Sequence, residues 1–288
     1  MPLGLSSGLC WGAADFFGGM QSRRLPALTV AFWSQAAGAL ALVAALAVAG
    51  TRPAPAGIAW GLAAGVGSGC ALVLFYRGLA EGTMSIVAPV SACGAVVPVA
   101  AALLTGDRPG ALAGLGVLAA IAGVVLVSRP RPARAGPHGF RSSGTPGRPA
   151  RVLAMALASA LGFGLFYVFV DAGTTGSGGQ PLWVIAGARA SSLVMLSTIA
   201  LVGHRSALRW PGRRIGPVAL VGIGDTGANL LFAYAATTGN LAVVGVLGSL
   251  YPVATVVLAR WLLGERLSGG QNAGVALALT GVGLLAAA

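Results

Sequence analysis

Three ionisable side chains, Asp15, Arg189 and Asp225, fall inside long apolar runs of this sequence. A charge at the centre of a membrane helix costs from about 3 kcal/mol upward, so each of them needs a reason. One reason is chemical. A guanidinium offers a planar fork of donors that grips a carboxylate or phosphate, and a carboxylate can take up and release protons. In that reading Arg189 holds an anionic group of a small solute, while Asp225 or Asp15 carries a coupling proton. The other reason is architectural: a buried ion pair that fastens helices together. Asp15 has a third option, a place near a membrane boundary where it meets water or Arg23. Gln35, in a neighbouring apolar run, is a further polar lining residue.

Helix breakers mark a second set of candidates. Pro89 and Pro98 interrupt one apolar run and Pro252 another. Each proline removes a backbone donor and frees a carbonyl that protein, water or ligand must satisfy. Ser91 and Ser249 lie beside these breaks, with Tyr251 next to Pro252. Their hydroxyls either face a solute or bond back to their own helix. Tyr76, Tyr234, Trp11 and Phe16 are candidates for an aromatic lining that suits an apolar or zwitterionic solute; singly, each also fits packing or an interface anchor. Gly57, Gly61, Gly65 and Gly69 recur every four residues, which puts them on one helix face where bare backbone permits close approach. Gly222 to Gly227 spells a GxGxxG string. It lies inside an apolar run rather than after a strand, so a dinucleotide site is excluded by context.

Composition says which solvent these elements meet. The chain has 288 residues, 56% hydrophobic and 8% charged, against roughly 25% charged in soluble domains. Lipid therefore covers most of its surface. All 18 basic residues are arginines, set against six acids, for a net charge of +12. A nucleic-acid binder would gather that charge on one face, whereas here it sits in short gaps between apolar runs, so nucleic acid is not an expected partner. Cys10, Cys70 and Cys93 lie far apart without metal-ligand spacing and read as small hydrophobes. His138 and His204 fall in loops. With no metalloprotease motif, serine elbow or ligand cluster, neither a metal, a cofactor nor an enzymatic reaction is expected. No cleavable leader is evident, because the first apolar run lacks a basic lead-in and continues as a span.

Ten runs are long enough to cross a bilayer: residues 3–20, 27–49, 57–78, 84–104, 109–128, 152–171, 182–203, 215–237, 241–263 and 269–287. Residues 129–151 hold six Arg, five Pro and four Gly, a composition that cannot bury a core and predicts a linker. The expected organisation is a first five-helix half over 1–128, that linker, and a second half over 152–288. The halves repeat each other. At a constant offset of 158 positions Tyr76 falls on Tyr234, Ser91 on Ser249, and Gly106-Asp107-Arg108 on Gly264-Glu265-Arg266. At other offsets Gly12 and Phe16 meet Gly162 and Phe166, and Gln35 meets Arg189. Five spans is an odd number, so the second copy enters from the opposite side and the repeat is inverted. Nearly all arginines lie in inner loops only if both termini are outside, and the positive-inside bias favours that orientation.

Trp11-Gly12 with Phe16, the Gly-acid-Arg ends of the fourth and ninth runs, and the Gly-rich fifth and tenth runs together resemble the EamA-type transporters of the drug/metabolite transporter superfamily. The resemblance covers nearly the whole chain. It implies an all-α, polytopic membrane protein of ten transmembrane helices in two inverted five-helix repeats. It also implies a secondary carrier exporting metabolites or small organic compounds across the plasma membrane, as a monomer or homodimer. The family usually keeps both termini in the cytoplasm, opposite to the arginine count, and more often has Glu where this chain has Asp107.

Overall fold

The structure is a computed structural model that describes residues 2–104, 106, 110–127, 148–203, 205–238 and 251–288; the side chains of 102, 127, 148 and 233–238 also lie outside the description. Among the described residues the regular elements are all helical. They are α1 (Pro2–Ser22), α2 (Ala27–Ala49), α3 (Pro55–Glu81), α4 (Met84–Ala92), a 3-10 turn (Cys93–Ala95), α5 (Val96–Leu104), α6 (Ala111–Val127), α7 (Arg148–Gly176), α8 (Pro181–Gly203), α9 (Ile215–Thr238), α10 (Tyr251–Leu263) and α11 (Gly269–Ala287). Single-turn 3-10 helices at Arg205–Leu208 and Gly212–Arg214 join α8 to α9.

Local chemistry sets the ends. Pro55 and Pro181 open α3 and α8, where a missing N–H costs nothing. Gly50 closes α2 in the left-handed conformation at φ 60°, its N–H bonded to the Leu46 carbonyl, a shape that glycine adopts without strain. Ser268 and Gln271 form a reciprocal capping box that starts α11.

Among the described residues, seven stretches are long and apolar enough to cross a membrane: 27–49, 55–81, 84–101, 149–176, 181–203, 212–232 and 269–287. Helices α6 and α10 supply shorter apolar segments, 111–126 and 251–263. The first run, diluted by glycine, serine and Asp15, is not among the seven. Val48, Leu104, Val202 and Trp261 are each at least 85% exposed, which water would penalise and lipid does not. The chain is thus a multi-pass integral membrane protein.

Small residues let these helices approach each other. Helix α3 packs between α7 and α8. A Cβ on Gly61 or Gly65 would collide with the carbonyl oxygens of Val184 and Ala188 on α8, and one on Gly57 would stand 3.2 Å from Val184 Cγ2. The four-residue glycine spacing is therefore a packing face. Helix α9 packs against α1 and α2, α10 against α1 and α4, and α6 against α11. Gly12 leaves room for the Tyr251 carbonyl, and its own carbonyl accepts the Thr255 hydroxyl at 3.0 Å.

The fourth run is interrupted as its prolines require. Pro89 lies within α4, the 3-10 turn follows, and Pro98 lies within α5. The break is closed by protein: the Cys93 thiol bonds the Pro89 carbonyl at 3.4 Å, and Gly94 lies backbone to backbone on Ala160 and Gly164 of α7.

Candidate functional site

The polar side chains singled out in the sequence converge between α1, α2, α3, α8 and α9. Arg189 projects from α8 into the bundle. Its guanidinium donates through Nη1 to Gln35 Oε1 on α2 and through Nη2 to Asp225 Oδ2 on α9. The Arg189 side chain is 10% exposed and that of Asp225 33%, so the pair is nearly dry on the arginine side and open on the carboxylate side. Three helices from both halves of the chain meet in these two contacts. The fork proposed for a solute anion is therefore engaged by protein acceptors, and the guanidinium charge is matched.

The glycines that the sequence placed around Asp225 serve this junction. Gly222 fits under the Ser34 carbonyl of α2, and Gly38 of α2 leaves space for the Thr226 hydroxyl, whose oxygen a Cβ there would approach to 2.5 Å. Thr226 is fully buried, and its hydroxyl has no hydrogen-bond partner among the described residues. One turn further along α9, Asn229 donates to the Asp225 carbonyl at 2.7 Å.

Asp15 stands on α1 in electrostatic range of Asp225. Among the described residues it has neither a hydrogen bond nor an ion pair. Aromatic residues stand within its electrostatic range. Tyr76 is buried with its ring against Gly18 and lies in range of Ser34, Asp15, Asp225 and Arg189. Trp11, one turn before Asp15, meets Phe232 at 5.5 Å and Tyr251 edge-on at 6.4 Å between ring centroids. Tyr251 and Tyr167 are both within electrostatic reach of Asp15, and Tyr167 is 41% exposed.

The other candidates are placed differently. Ser91 is buried and ties α4 to α7, through Ser159 Oγ at 2.8 Å and the Ala156 carbonyl at 3.3 Å. Phe16 is wholly buried core. Ser249, Asp107, Arg108, His138 and His204 lie outside the described residues, as does the side chain of Tyr234. Tyr167, Asn229 and Ser34 went unnoticed in the sequence. Asn229 carried a signal, since it follows Asp225 by four positions and so shares its helix face; so did Tyr167, which falls on Phe17 at the offset that pairs Phe16 with Phe166.

At the arginine-rich end, Glu265 accepts the backbone N–H groups of Met84 at 2.9 Å and Ser85 at 2.8 Å, with Arg23 Nη2 at 3.6 Å. Glu81 accepts from Arg77 at 2.8 Å and Arg151 at 3.1 Å. A groove of about 620 Å³, walled by residues such as Leu28, Val73 and Ile199 with Arg77 and Glu81 at its edge, opens at this end and shares no residue with the Arg189 cluster.

A family model described as the EamA-like transporter family matches residues 1–129 and 150–287. A chain of known structure aligns over 98% of this sequence and 94% of its own at 21% identity, with a TM-score of 0.61, a likeness of fold. No curated protein matches the sequence.

Proposed function

The chain belongs to the EamA-like transporter family of the drug/metabolite transporter superfamily, and from that premise we propose that it is a secondary carrier exporting a small organic solute from the cell by alternating access. Transporters of this family are generally not enzymes. The observation that carries the proposal is the junction of Arg189 with Gln35 and Asp225, a polar knot held between helices of both halves. A purely structural protein has little use for a carboxylate left one-third exposed inside an apolar bundle.

The ten-span, inverted-repeat architecture is part of the proposal, with halves at 1–128 and 152–288 and a linker at 129–151. Reciprocal packing supports it: α3 lies against α7 and α8 as α9 lies against α1 and α2, and α4 lies on α7 as α10 lies on α1. In such a carrier the halves present one central site to each side in turn. Trp11, Tyr76 and Tyr251 line that site with Gln35 and Arg189, and Tyr234 and Ser249 are assigned to it from the repeat pattern of the sequence alone. No nucleotide-binding motif is present in the sequence, so an ion or solute gradient drives the cycle. Asp225 and Asp15 are the coupling groups: a proton on Asp225 removes its charge from Arg189 and loosens the α8–α9 contact. The protein sits in the plasma membrane with both termini outside, as a monomer or homodimer.

The test is flux. Purified protein in sealed vesicles is screened against a metabolite library by thermal shift, and each hit is followed across the membrane. Saturable uptake that needs an intact vesicle supports the carrier. Chemical turnover of a hit in detergent, without uptake, overturns it in favour of a membrane enzyme.

A further inference from the structure

We propose that the groove between α2, α3 and α8 holds one anionic phospholipid of the leaflet at the arginine-rich end, with an acyl chain along its walls and the phosphodiester on Arg77. The groove shares no residue with the Arg189 cluster, so the proposal stands apart from the carrier reading.

Shape comes first. The cavity of about 620 Å³ is walled by the start of α2, the last turns of α3 and the end of α8, with Leu28, Val73 and Ile199 among its residues. From Cys70 to Glu81 it follows α3 for about 16 Å at the helical rise per residue, roughly half of a hydrocarbon core about 30 Å thick. It therefore spans one leaflet, from the interface to mid-bilayer, which is the reach of an acyl chain. Ile199, and Val202 less than one turn beyond it, are exposed apolar side chains, so the α8 edge of the groove faces lipid. The polar atoms of its inner wall are engaged within the protein. The Ser22 hydroxyl donates to the Gly18 carbonyl at 2.9 Å, and the Cys70 thiol lies 3.3 Å from Met195 Sδ. A water-soluble metabolite would find few partners there; a hydrocarbon chain needs none.

Charge decides the headgroup. Glu81 receives two guanidinium groups, from Arg77 Nε at 2.8 Å and from Arg151 Nη2 at 3.1 Å, so this trio keeps one positive charge in excess. Arg77 uses only its Nε on Glu81, and among the described residues its two terminal amino groups have no acceptor. They sit on a side chain 53% exposed, at the edge of the groove. Arg24, exposed between the lining residues Ser22 and Leu25, has no acid partner among the described residues either. A phosphodiester supplies the missing acceptor, and a guanidinium can meet it through two N–H groups at once. A zwitterionic head brings its own cation to a place that already has an excess, so an anionic lipid is preferred.

The test uses the full chain in mixed micelles of fixed lipid fraction. Cys70 lines the groove and is exposed, so alkylation of its thiol, followed by peptide mass spectrometry, reads occupancy. Cys10, which is no part of the lining, is the internal reference. Phosphatidylglycerol should slow modification of Cys70 and leave Cys10 unchanged. Phosphatidylcholine with the same chains should need about fivefold more lipid for equal protection, the effect expected of one basic side chain beside an anionic headgroup. Inorganic phosphate should give none. Arg77→Gln should bring phosphatidylglycerol to the level of phosphatidylcholine, and Arg77→Lys should keep part of the preference, a contrast that a change of fold would not produce. Equal protection by the two lipids in the parent chain, protection by neither, protection by phosphate alone, or an undiminished preference in Arg77→Gln would each overturn the proposal.

Discussion

Glu265 supplies a perturbation whose size follows from its contacts. The N-cap residue of α4, Thr83, makes no side-chain capping bond. The carboxylate of Glu265, distant in sequence, takes that place by accepting the N–H groups of Met84 and Ser85 at 2.9 and 2.8 Å. A helix start presents unpaired donors and a partial positive charge, so an anion is the favoured partner. Hydrogen bonds to a charged group contribute about 1.5–3 kcal/mol each, and loss of a cap costs about 0.5–2 kcal/mol. Arg23, at 3.6 Å and with 34% of its side chain exposed, adds less than about 1 kcal/mol. Glu265→Ala should therefore cost on the order of 2–4 kcal/mol, and Glu265→Gln, which keeps one acceptor oxygen, about half as much.

Thermal unfolding in detergent, followed by a thiol-reactive dye as the half-buried Cys93 becomes accessible, reads this out. A loss of that size lowers the midpoint by roughly 5–12 °C for Glu265→Ala, and Arg23→Ala should shift it by no more than about 3 °C. An alanine variant within about 1 °C of the parent would refute the capping argument. Equal losses from Glu265→Ala and Arg23→Ala would assign the stabilisation to the ion pair instead of the helix start.

Four further outcomes are expected. Arg189→Gln leaves Asp225 without its cation and should cost about 3–5 kcal/mol; the double variant Arg189→Gln/Asp225→Asn should recover most of that loss in folded yield, and failure to recover it would mean that Arg189 is held by something other than Asp225. Asp225→Asn should abolish pH-gradient-driven accumulation in vesicles while solute exchange persists, and unchanged accumulation would remove Asp225 from coupling. Gly65→Val drives a side chain into the Ala188 carbonyl and should cost about 1–3 kcal/mol, whereas Gly67→Ala, whose Cβ would lie 3.7 Å from its nearest neighbour across the bundle, should elute from size exclusion like the parent. A C-terminal alkaline phosphatase fusion should be active and a C-terminal fluorescent fusion dark; the opposite pair would put the termini in the cytoplasm.

The site was legible where polarity was scarce. In a chain with 8% charged residues, any Asp, Arg or Gln inside an apolar run carries a cost that selection tolerates only for a reason. Gln35, Arg189 and Asp225, read one by one on that ground, meet in a single cluster. The glycine face of α3 was legible for a similar reason, because a four-residue spacing fixes a helix face whatever the partner. Partners were not legible. Nothing local to Ser91 announces Ser159, and nothing local to Glu265 announces the start of α4 that its carboxylate reaches. Such pairings depend on how helices cross, and that geometry is written in the matching of small and large residues between faces, not in the spacing along one of them. The same gap explains Arg189. Its type said that it could grip an anion; only the position of α2 and α9 says that Gln35 and Asp225 already take one donor from each arm of the fork. Asp15 shows the converse, since it has no hydrogen-bond or ion-pair partner among the described residues, which is visible only once the neighbouring helices are in place.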